Sequence, residues 1–245
     1  ARRVQQHGVE RGAIPPAVRD AGVGRMQRRR GQAQTREGVG HALQPVWIDI
    51  QRGQPQRRVA LEQVRGLEKT FVVNHLGHYL LVRRLLDRVI AAPQGRVVVL
   101  GSGDARNAPP GGIQFADLSG ASWEARYAHS KLANGLFSLE LSRRLATTRA
   151  TSNCVSPGHT RSQILRNVGN RYRSDARSVQ QGAATPCYAA AHPAMAGING
   201  AYLSDFREAP QGAAQTDRAM AARLWRVSEA LVQPHLQPWP RALRD

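Results

Sequence analysis

The sequence predicts a doubly wound α/β fold, in which helices cover both faces of a parallel β-sheet. From about residue 65 onward, short apolar runs alternate with long one-sided helical patterns, and this alternation is typical of parallel sheets. At 245 residues and 41% hydrophobic, the chain can bury the core of one large domain. Before residue 65 the apolar residues show no sustained period, so the N-terminal half of the fold is predicted to be truncated or aberrant.

The first clear elements are a long helix and a buried strand. Residues 67–91 carry apolar side chains at helical spacing, and Pro93 ends the helix. Residues 96–100 form a β-branched run between two glycines, the pattern of a strand covered on both faces. A loop rich in glycine and proline follows at 103–120. The predicted buried face of the helix consists of Phe71, Leu76, Tyr79, Leu80, Leu85, Leu86 and Val89.

The same alternation continues to the end of the chain. The patterns predict helices at 124–147, 179–191 and 216–232, and strands at 151–156 and 201–204. The last helix is predicted to bury Met220, Leu224, Val227 and Leu231. An arginine-rich segment at 161–177 is predicted to be mobile and to cover the substrate cleft. In the N-terminal part, only residues 45–50 suggest a strand.

The net charge of +18 raises the possibility of a nucleic-acid partner. The basic residues are nearly all arginine, with Lys69 and Lys131 the only lysines, and no aromatic residues are interleaved with them for base stacking. No nucleic-acid role is therefore expected. Cys154 and Cys187 have no metal-ligand spacing and are expected to be reduced, with no bound metal. We expect a soluble cytoplasmic protein without a membrane span, because no apolar run is long enough.

The residues with the clearest chemical potential are Tyr127 and Lys131, which lie four apart on a predicted helix. That spacing places them on one face, where the lysine cation could lower the proton affinity of the phenol. Such a pair is common as surface or core filler, so alone it is a weak signal. Ser102 and Pro157-Gly158 follow predicted parallel strands, at the sheet edge where ligands bind in such folds.

Four motifs in order resemble those of the short-chain dehydrogenase/reductase family, whose fold is a doubly wound, Rossmann-type sheet. The resemblance covers residues 65–232. The motifs are Asn74-His-Leu-Gly-His78, Arg96-Val-Val-Val-Leu-Gly-Ser102, Tyr127-Ala-His-Ser-Lys131 and Ser156-Pro-Gly-His-Thr-Arg-Ser162. Within the family, strings such as Ser130-Lys-Leu-Ala-Asn134 and Gln180-Gln-Gly-Ala-Ala-Thr185 resemble the subgroup of retinol dehydrogenases and WW-domain oxidoreductases.

The resemblance implies an NAD- or NADP-dependent oxidoreductase that interconverts an alcohol and a carbonyl, on an apolar retinoid-like or steroid-like substrate. Asn74, Ser102, Tyr127 and Lys131 would be catalytic. The cofactor would contact Tyr127, Lys131, Pro157, Gly158, Thr160 and Ser162. Asn74 would distort its helix locally and hold a water in a proton relay to Lys131. The resemblance also implies a possible homodimer formed through the two long helices. His75 and His78 are expected to be packing residues, and Asp117 is expected to be structural.

The family's TGxxxGxG cofactor loop is not recognisable in this sequence. Gly22-Val-Gly24 and Gly38-Val-Gly40 contain glycine pairs, but neither follows a convincing strand. We therefore expect an atypical Arg/Gln-rich segment at 1–60, a mistranslated or degenerated reading frame, followed by the family domain at 61–245. The alternative is a catalytically inactive family member that acts as a binding module or has no function.

Overall fold

The structure is a computed structural model that describes residues 62–123, 125–162 and 175–236. The chain divides into two units, Ala1–Leu43 and Gln44–Asp245, and every described residue lies in the second. The candidate strand at 45–50, the N-terminal glycine pairs and most of the segment predicted to be mobile lie outside the described residues. The domain boundary near residue 60 stays a prediction.

The described residues form short strands and long helices in alternation. Two short strands come first and are followed by a helix with a π-helical turn. The strands are β1 (Gln63–Val64), β2 (Leu67–Glu68), β3 (Arg96–Leu100), β4 (Thr151–Ser156), β5 (Tyr202–Ser204) and β6 (Arg207–Glu208). The helices are α1 (Lys69–Phe71), the π-helical turn (Val72–Leu76), α2 (Gly77–Ala91), α3 (Arg126–Arg144), α4 (Val179–Ala191), α5 (Ala213–Thr216) and α6 (Arg218–Val232), with 3-10 turns at Gly103–Asn107, Pro193–Met195 and Gln233–His235.

The larger sheet has the strand order β3-β4-β5-β6. Strands β3, β4 and β5 are parallel, and β6 returns antiparallel to β5. Leu100 lies opposite Val155 in the register, so the chain leaves β3 and β4 at the same edge of the sheet. The parallel pairing confirms the predicted α/β fold class.

Helices cover both faces of this sheet. On one face α3 packs on β3 and β4, and α6 packs in turn on α3; on the other face α4 packs on the same two strands. The first core cluster combines leucines with aromatic side chains, among which Tyr79 lies 5.0 Å and Phe137 5.7 Å from Trp225 between ring centroids. A smaller second cluster joins Val155 of β4 to Tyr188 of α4. All six residues of β4 are buried, as expected for a strand between two helical layers.

Several predicted bounds are confirmed. The strands at 96–100 and 151–156 and the helix at 179–191 have the bounds that the sequence predicts. Helix α4 begins there because Ser178 and Gln181 form a reciprocal capping box. The strand predicted at 201–204 begins one residue later, at Tyr202.

The start predicted for the first long helix is wrong. Residues Leu67 and Glu68 belong instead to a hairpin with β1, because Arg65 and Gly66 both have positive φ, at 53° and 78°, as a tight hairpin turn requires. The helix begins at Lys69, where the Glu68 carboxylate accepts a hydrogen bond from the Phe71 amide. Phe71, Leu76, Tyr79 and Leu86 are buried as predicted, whereas Leu85 is 46% exposed.

Two later helices are shorter than predicted. Helix α3 covers 126–144 rather than 124–147, and α6 begins at Arg218, because the Asp217 carboxylate caps the Met220 amide. The predicted face of α6 is confirmed in part: Leu224 is buried and Met220 packs against the first core cluster, whereas Leu231 is 38% exposed. The buried face consists of Ala221, Leu224, Trp225, Ser228 and Val232.

Candidate active site

Ser102, Tyr127 and Lys131 come together at the carboxyl end of β3. Ser102 follows β3 directly and caps the 3-10 turn after it, accepting a hydrogen bond from the Asp104 amide at 3.1 Å. The Ser102 side chain lies close enough to the Tyr127 phenol to lower its pKa. The Lys131 Nζ lies 5.6 Å from the centroid of the Tyr127 ring, so the predicted shared helix face is confirmed.

Lys131 is the buried member of this cluster. Its side chain is buried, and its Nζ donates a hydrogen bond to the Leu100 carbonyl at 3.1 Å. Burial lowers the pKa of Lys131 from its usual value, and the thiol of Cys154 on β4 opposes that change. Burial raises the pKa of the Cys154 thiol to about 12, so this cysteine is a poor nucleophile.

The pKa of the Tyr127 phenol is raised rather than lowered. Burial is the largest cause, the Ser102 side chain opposes it, and the nearby Asp104 carboxylate raises the pKa further. The sequence-based expectation that Lys131 lowers this pKa is therefore wrong for the geometry seen here. The physical reason is that the Lys131 ammonium is bonded to the Leu100 carbonyl rather than directed at the phenol oxygen.

Asn74 lies in the π-helical turn Val72–Leu76, which confirms the expected local distortion of its helix. Its side-chain amide donates to the Ser130 hydroxyl at 3.0 Å. Ser130 in turn donates to the backbone carbonyl of Tyr127 at 2.8 Å. These two hydrogen bonds connect the distorted turn to the first turn of α3, which carries Tyr127.

The loop after β4 brings its predicted contact residues to the same sheet edge. Gly158 has a φ of +72°, which disfavours other residues, and the Arg177 guanidinium fills the space where its Cβ would lie. The Thr160 hydroxyl points back to the Gly158 carbonyl at 3.3 Å and packs on Gly182 of α4. Pro157, Gly158 and Thr160 therefore form one ordered loop end, and the Ser162 amide follows with a 2.8 Å bond to the Thr160 carbonyl.

Two residues of this region were not predicted from the sequence. Asn134 donates from its buried amide to the Leu100 carbonyl at 3.2 Å, and its position three residues after Lys131 was an available signal. Arg177 donates to the Pro157 carbonyl at 3.3 Å and forms an ion pair with Asp205. No spacing in the sequence links Arg177 to residue 157.

The remaining residues singled out in the sequence, Asp117, the two histidines and the two cysteines, lie outside the cluster of Ser102, Tyr127 and Lys131. Asp117 accepts hydrogen bonds from the backbone and side chains of Ser119 and Ser122; these bonds, that of the Ser119 hydroxyl foremost, hold the pKa of its carboxyl well below the usual range. His75 is fully buried, as expected for a packing residue, whereas His78 is exposed. Both cysteines are free.

A surface cleft of about 350 Å³ lies at the opposite end of the sheet, where Arg96 and Thr151 begin β3 and β4. It is separate from Ser102 and Tyr127. Within the described residues, no helix is long and apolar enough to cross a membrane.

Comparison with known proteins agrees with this arrangement. The profile of the short chain dehydrogenase family matches residues 49–173, about half of the chain. The WW domain-containing oxidoreductase of Homo sapiens is 40% identical over 190 residues, which cover 70% of this chain and 45% of that protein. Retinol dehydrogenase 14 of Homo sapiens is 33% identical over 180 residues, covering 68% and 53% of the two chains.

A solved structure shares the fold. The crystal structure of an uncharacterized protein from Mycobacterium paratuberculosis has a TM-score of 0.53 at 26% identity, and the match covers 71% of this chain and 63% of that chain. A parallel sheet with this serine, tyrosine and lysine at its carboxyl edge defines the class of protein. The chain belongs to the short-chain dehydrogenase family, in its retinol dehydrogenase-like subgroup. It spans about half the length of the curated relatives it matches.

Proposed function

We propose that the chain is an NAD(P)-dependent oxidoreductase that interconverts an alcohol and a carbonyl. The single observation that carries the proposal is the meeting of Ser102, Tyr127 and Lys131 at the carboxyl end of β3. Ligands bind at this edge in open α/β sheets. A phenol beside a hydroxyl and an ammonium group can transfer a proton to or from a substrate oxygen.

Each of the three residues has a distinct role in the proposal. Tyr127 is the acid that protonates the carbonyl oxygen in the reductive direction, and the base in the oxidative direction. Ser102 donates a hydrogen bond to the same oxygen and stabilises its developing negative charge. Lys131 holds the cofactor beside Tyr127, with its ammonium group anchored on the Leu100 carbonyl.

The residues present fit the nicotinamide half of the cofactor. A lysine ammonium has three N–H donors, and the Leu100 carbonyl accepts one of those of Lys131; ribose hydroxyls are suitable acceptors for the others. We propose that Tyr127 and Lys131 hold the ribose, and that Pro157, Gly158, Thr160 and Ser162 contact the nicotinamide. A bound nicotinamide would supply or accept the hydride, while the protein orients it.

Asn74 has a supporting role in the proposal. Its amide is bonded to Ser130, the residue next to Lys131, and the π-helical turn around it disturbs the regular ladder of backbone hydrogen bonds. We propose that a water at this turn relays protons between Lys131 and solvent.

The proposed substrate is an apolar alcohol or carbonyl compound of the retinoid or steroid type. Support comes from the similarity to a protein named as a retinol dehydrogenase. A homodimer belongs to the same proposal, because Val73, Leu81 and Leu85 are exposed apolar residues on the first long helix. The molar mass in solution distinguishes one chain from two.

An inactive binding module is the second candidate. The observation in its favour is that the family's TGxxxGxG loop is not recognisable in the sequence. Titration with NAD and NADP separates the two candidates, because a chain that binds neither cofactor cannot be the proposed enzyme.

The test of the enzyme proposal is cofactor absorbance at 340 nm with a panel of retinoid, steroid and simple alcohols and carbonyls, using the full chain. Tyr127→Phe removes only the phenol oxygen, and general acid–base catalysis contributes about 100- to 10,000-fold. We expect kcat to fall by at least about 100-fold, with cofactor affinity changed only a few-fold. Tyr188→Phe is the matched control, since Tyr188 lies in the second core cluster. Equal rates for wild type and Tyr127→Phe would reject Tyr127 as the acid and base.

A further inference from the structure

One carbonyl oxygen, that of Leu100, accepts two hydrogen bonds from α3. The Lys131 Nζ donates to it at 3.1 Å and the Asn134 Nδ2 at 3.2 Å. Leu100 is the last residue of β3, so both donors reach the sheet just before Ser102. Asn134 is fully buried and Lys131 nearly so.

The orientation of the Asn134 amide follows from the chemistry of its partner. A carbonyl oxygen only accepts hydrogen bonds, so the atom that faces Leu100 is the amide nitrogen. The Asn134 side chain raises the pKa of the His75 imidazole against the larger effect of burial, while its Oδ1 is buried without a hydrogen-bond partner among the described residues.

We propose that Asn134 is a positioning residue for Lys131, whose bond to the Leu100 carbonyl it weakens by donating to the same oxygen. A carbonyl oxygen has two lone pairs, and Asn134 occupies one of them. The other two N–H donors of Lys131 are then left for the Tyr127 side of the site. The catalytic importance of this arrangement rests on the proposed function; the arrangement itself does not.

Asn134 also affects the charge of Lys131. Its N–H dipole places partial positive charge next to the acceptor of the ammonium group, which disfavours the charged form. The titratable groups that face Lys131 are His78 from α2, Cys154 from β4 and Tyr127 on its own helix. Without the Asn134 donor, the hydrogen bond from the Lys131 ammonium to the Leu100 carbonyl becomes stronger. We therefore expect the pKa of Lys131 to rise.

A simpler role for Asn134 would be to tie α3 to the sheet. Ser138 provides the matched control for that role, because it lies one turn further along α3 and its hydroxyl is 2.9 Å from that of Ser152 on β4. Ser138 is 2% exposed. Loss of either side chain removes a buried hydrogen bond between α3 and the sheet, but only Asn134 shares an acceptor with Lys131.

The lysine content of the chain allows a direct measurement. Lys69 and Lys131 are the only lysines among 245 residues, so selective ¹³Cε labelling gives two resonances, and Lys69→Arg assigns them. Lys69 pairs with Glu62 at the surface, far from α3 in sequence. A pH titration of the Lys131 resonance is then compared for wild type, Asn134→Leu and Ser138→Ala. Leucine has nearly the shape of asparagine and no donor.

We expect Asn134→Leu to raise the pKa of Lys131 by about 0.5 to 1 unit, the size expected from one changed hydrogen bond. Ser138→Ala should leave that pKa within about 0.2 units, since it changes no partner of Lys131. Asn134→Ala, which removes the donor without adding bulk, replaces Asn134→Leu if the leucine variant does not unfold cooperatively in urea. An unchanged Lys131 titration in both Asn134 variants would overturn the proposal.

Kinetic measurements give a second test. They should not change if Asn134 only connects α3 to the sheet. In Asn134→Leu the Lys131 ammonium should remain hydrogen-bonded to the Leu100 carbonyl, so the pH profile of kcat/KM should shift to higher pH. The KM for NAD(P) should rise by a larger factor than kcat falls. Absence of turnover in the wild type would reject the proposed function, while the ¹³C titration would still decide the role of Asn134.

Discussion

The imidazole Nε2 of His75 lies 2.7 Å from the hydroxyl of Ser228, deep in the core between the π-helical turn and α6. The Phe71 ring lies 5.0 Å and the Phe137 ring 6.1 Å from the imidazole between centroids. A charged imidazole in this apolar surrounding would be poorly solvated. His75 is therefore a buried neutral histidine whose single hydroxyl partner links two helices.

This burial predicts a loss of stability in mild acid. Burial lowers the pKa of His75 to about 3, with smaller lowering by His78 and His129, and burial lowers that of His129 to about 4. Both folded-state values lie below the unfolded value near 6.5, so the unfolded chain binds more protons below that pH. The stabilising contribution is full above about pH 6.5 and is lost as the pH falls. Each histidine removes up to about 1.4 kcal/mol per pH unit.

Urea unfolding at pH 7.5 and pH 5.0 measures this loss. We expect a decrease of about 2 kcal/mol for each of the two histidines, as an upper limit. His75→Gln should make the unfolding free energy less dependent on pH by about one proton. A free energy that is the same at both pH values would contradict the assignment of buried neutral histidines.

Gly101 gives a second prediction, which concerns the strand end that delivers Ser102. A Cβ at this position would lie 2.5 Å from the Sγ of Cys154, and the Gly101 amide is fixed by a 2.8 Å bond to the Val155 carbonyl. We expect Gly101→Ala to lower the free energy of unfolding by about 1–3 kcal/mol, as overpacking does in other cores. Because Ser102 follows directly, the same change should lower activity.

A double-mutant cycle tests the stated cause. Cys154→Ala removes the clashing sulfur, so the double variant should regain most of the stability that Gly101→Ala loses relative to Cys154→Ala alone. Gly103→Ala is the control, since its Cβ would meet only the flexible end of Arg106 at 3.4 Å. Equal losses from Gly101→Ala and Gly103→Ala would rule out the contact with Cys154 as the cause.

Local patterns were sufficient to predict β3, a β-branched run that ends before Gly101, and β4, a short segment that ends before Pro157-Gly158. They failed at residues 67–68, since the Arg65-Gly66 turn diverts the chain into a hairpin before the helix begins. On α6 they predicted the burial of Leu224 but not that of Trp225, while Leu231 is exposed.

For the candidate site, the sequence predicted which residues meet but not their electrostatics or all of their contacts. The resemblance of four motifs in order to those of the family predicted that Ser102, Tyr127 and Lys131 meet, and the structure brings them together. The direction of the Tyr127 pKa was not predictable, because it depends on burial and on the carboxylate of Asp104. The contact between Asn134 and the Leu100 carbonyl depends on how closely α3 packs on β3, which no sequence spacing specifies.

The turn between β5 and β6 gives the last prediction, on the ion pair of Asp205 with Arg177. The two side chains lie 2.6 Å apart but are 49% and 27% exposed, and such pairs contribute about 0–1 kcal/mol. Asp205 also has a φ of 54°, a conformation that asparagine adopts readily. We expect Asp205→Asn to change the free energy of unfolding by less than about 1 kcal/mol, because the loss of the ion pair and the easier backbone conformation oppose each other.

Phe206, the next residue in this turn, is the comparison for Asp205→Asn. Its ring packs edge-on against Tyr188 at 5.5 Å and belongs to the border of the second core cluster. Phe206→Ala should therefore cost about 1–3 kcal/mol, because it exposes apolar surface in a partly buried position. Urea unfolding followed by tryptophan fluorescence compares the two variants. A larger loss for Asp205→Asn than for Phe206→Ala would mean that the ion pair, rather than ring packing, holds this turn against α4.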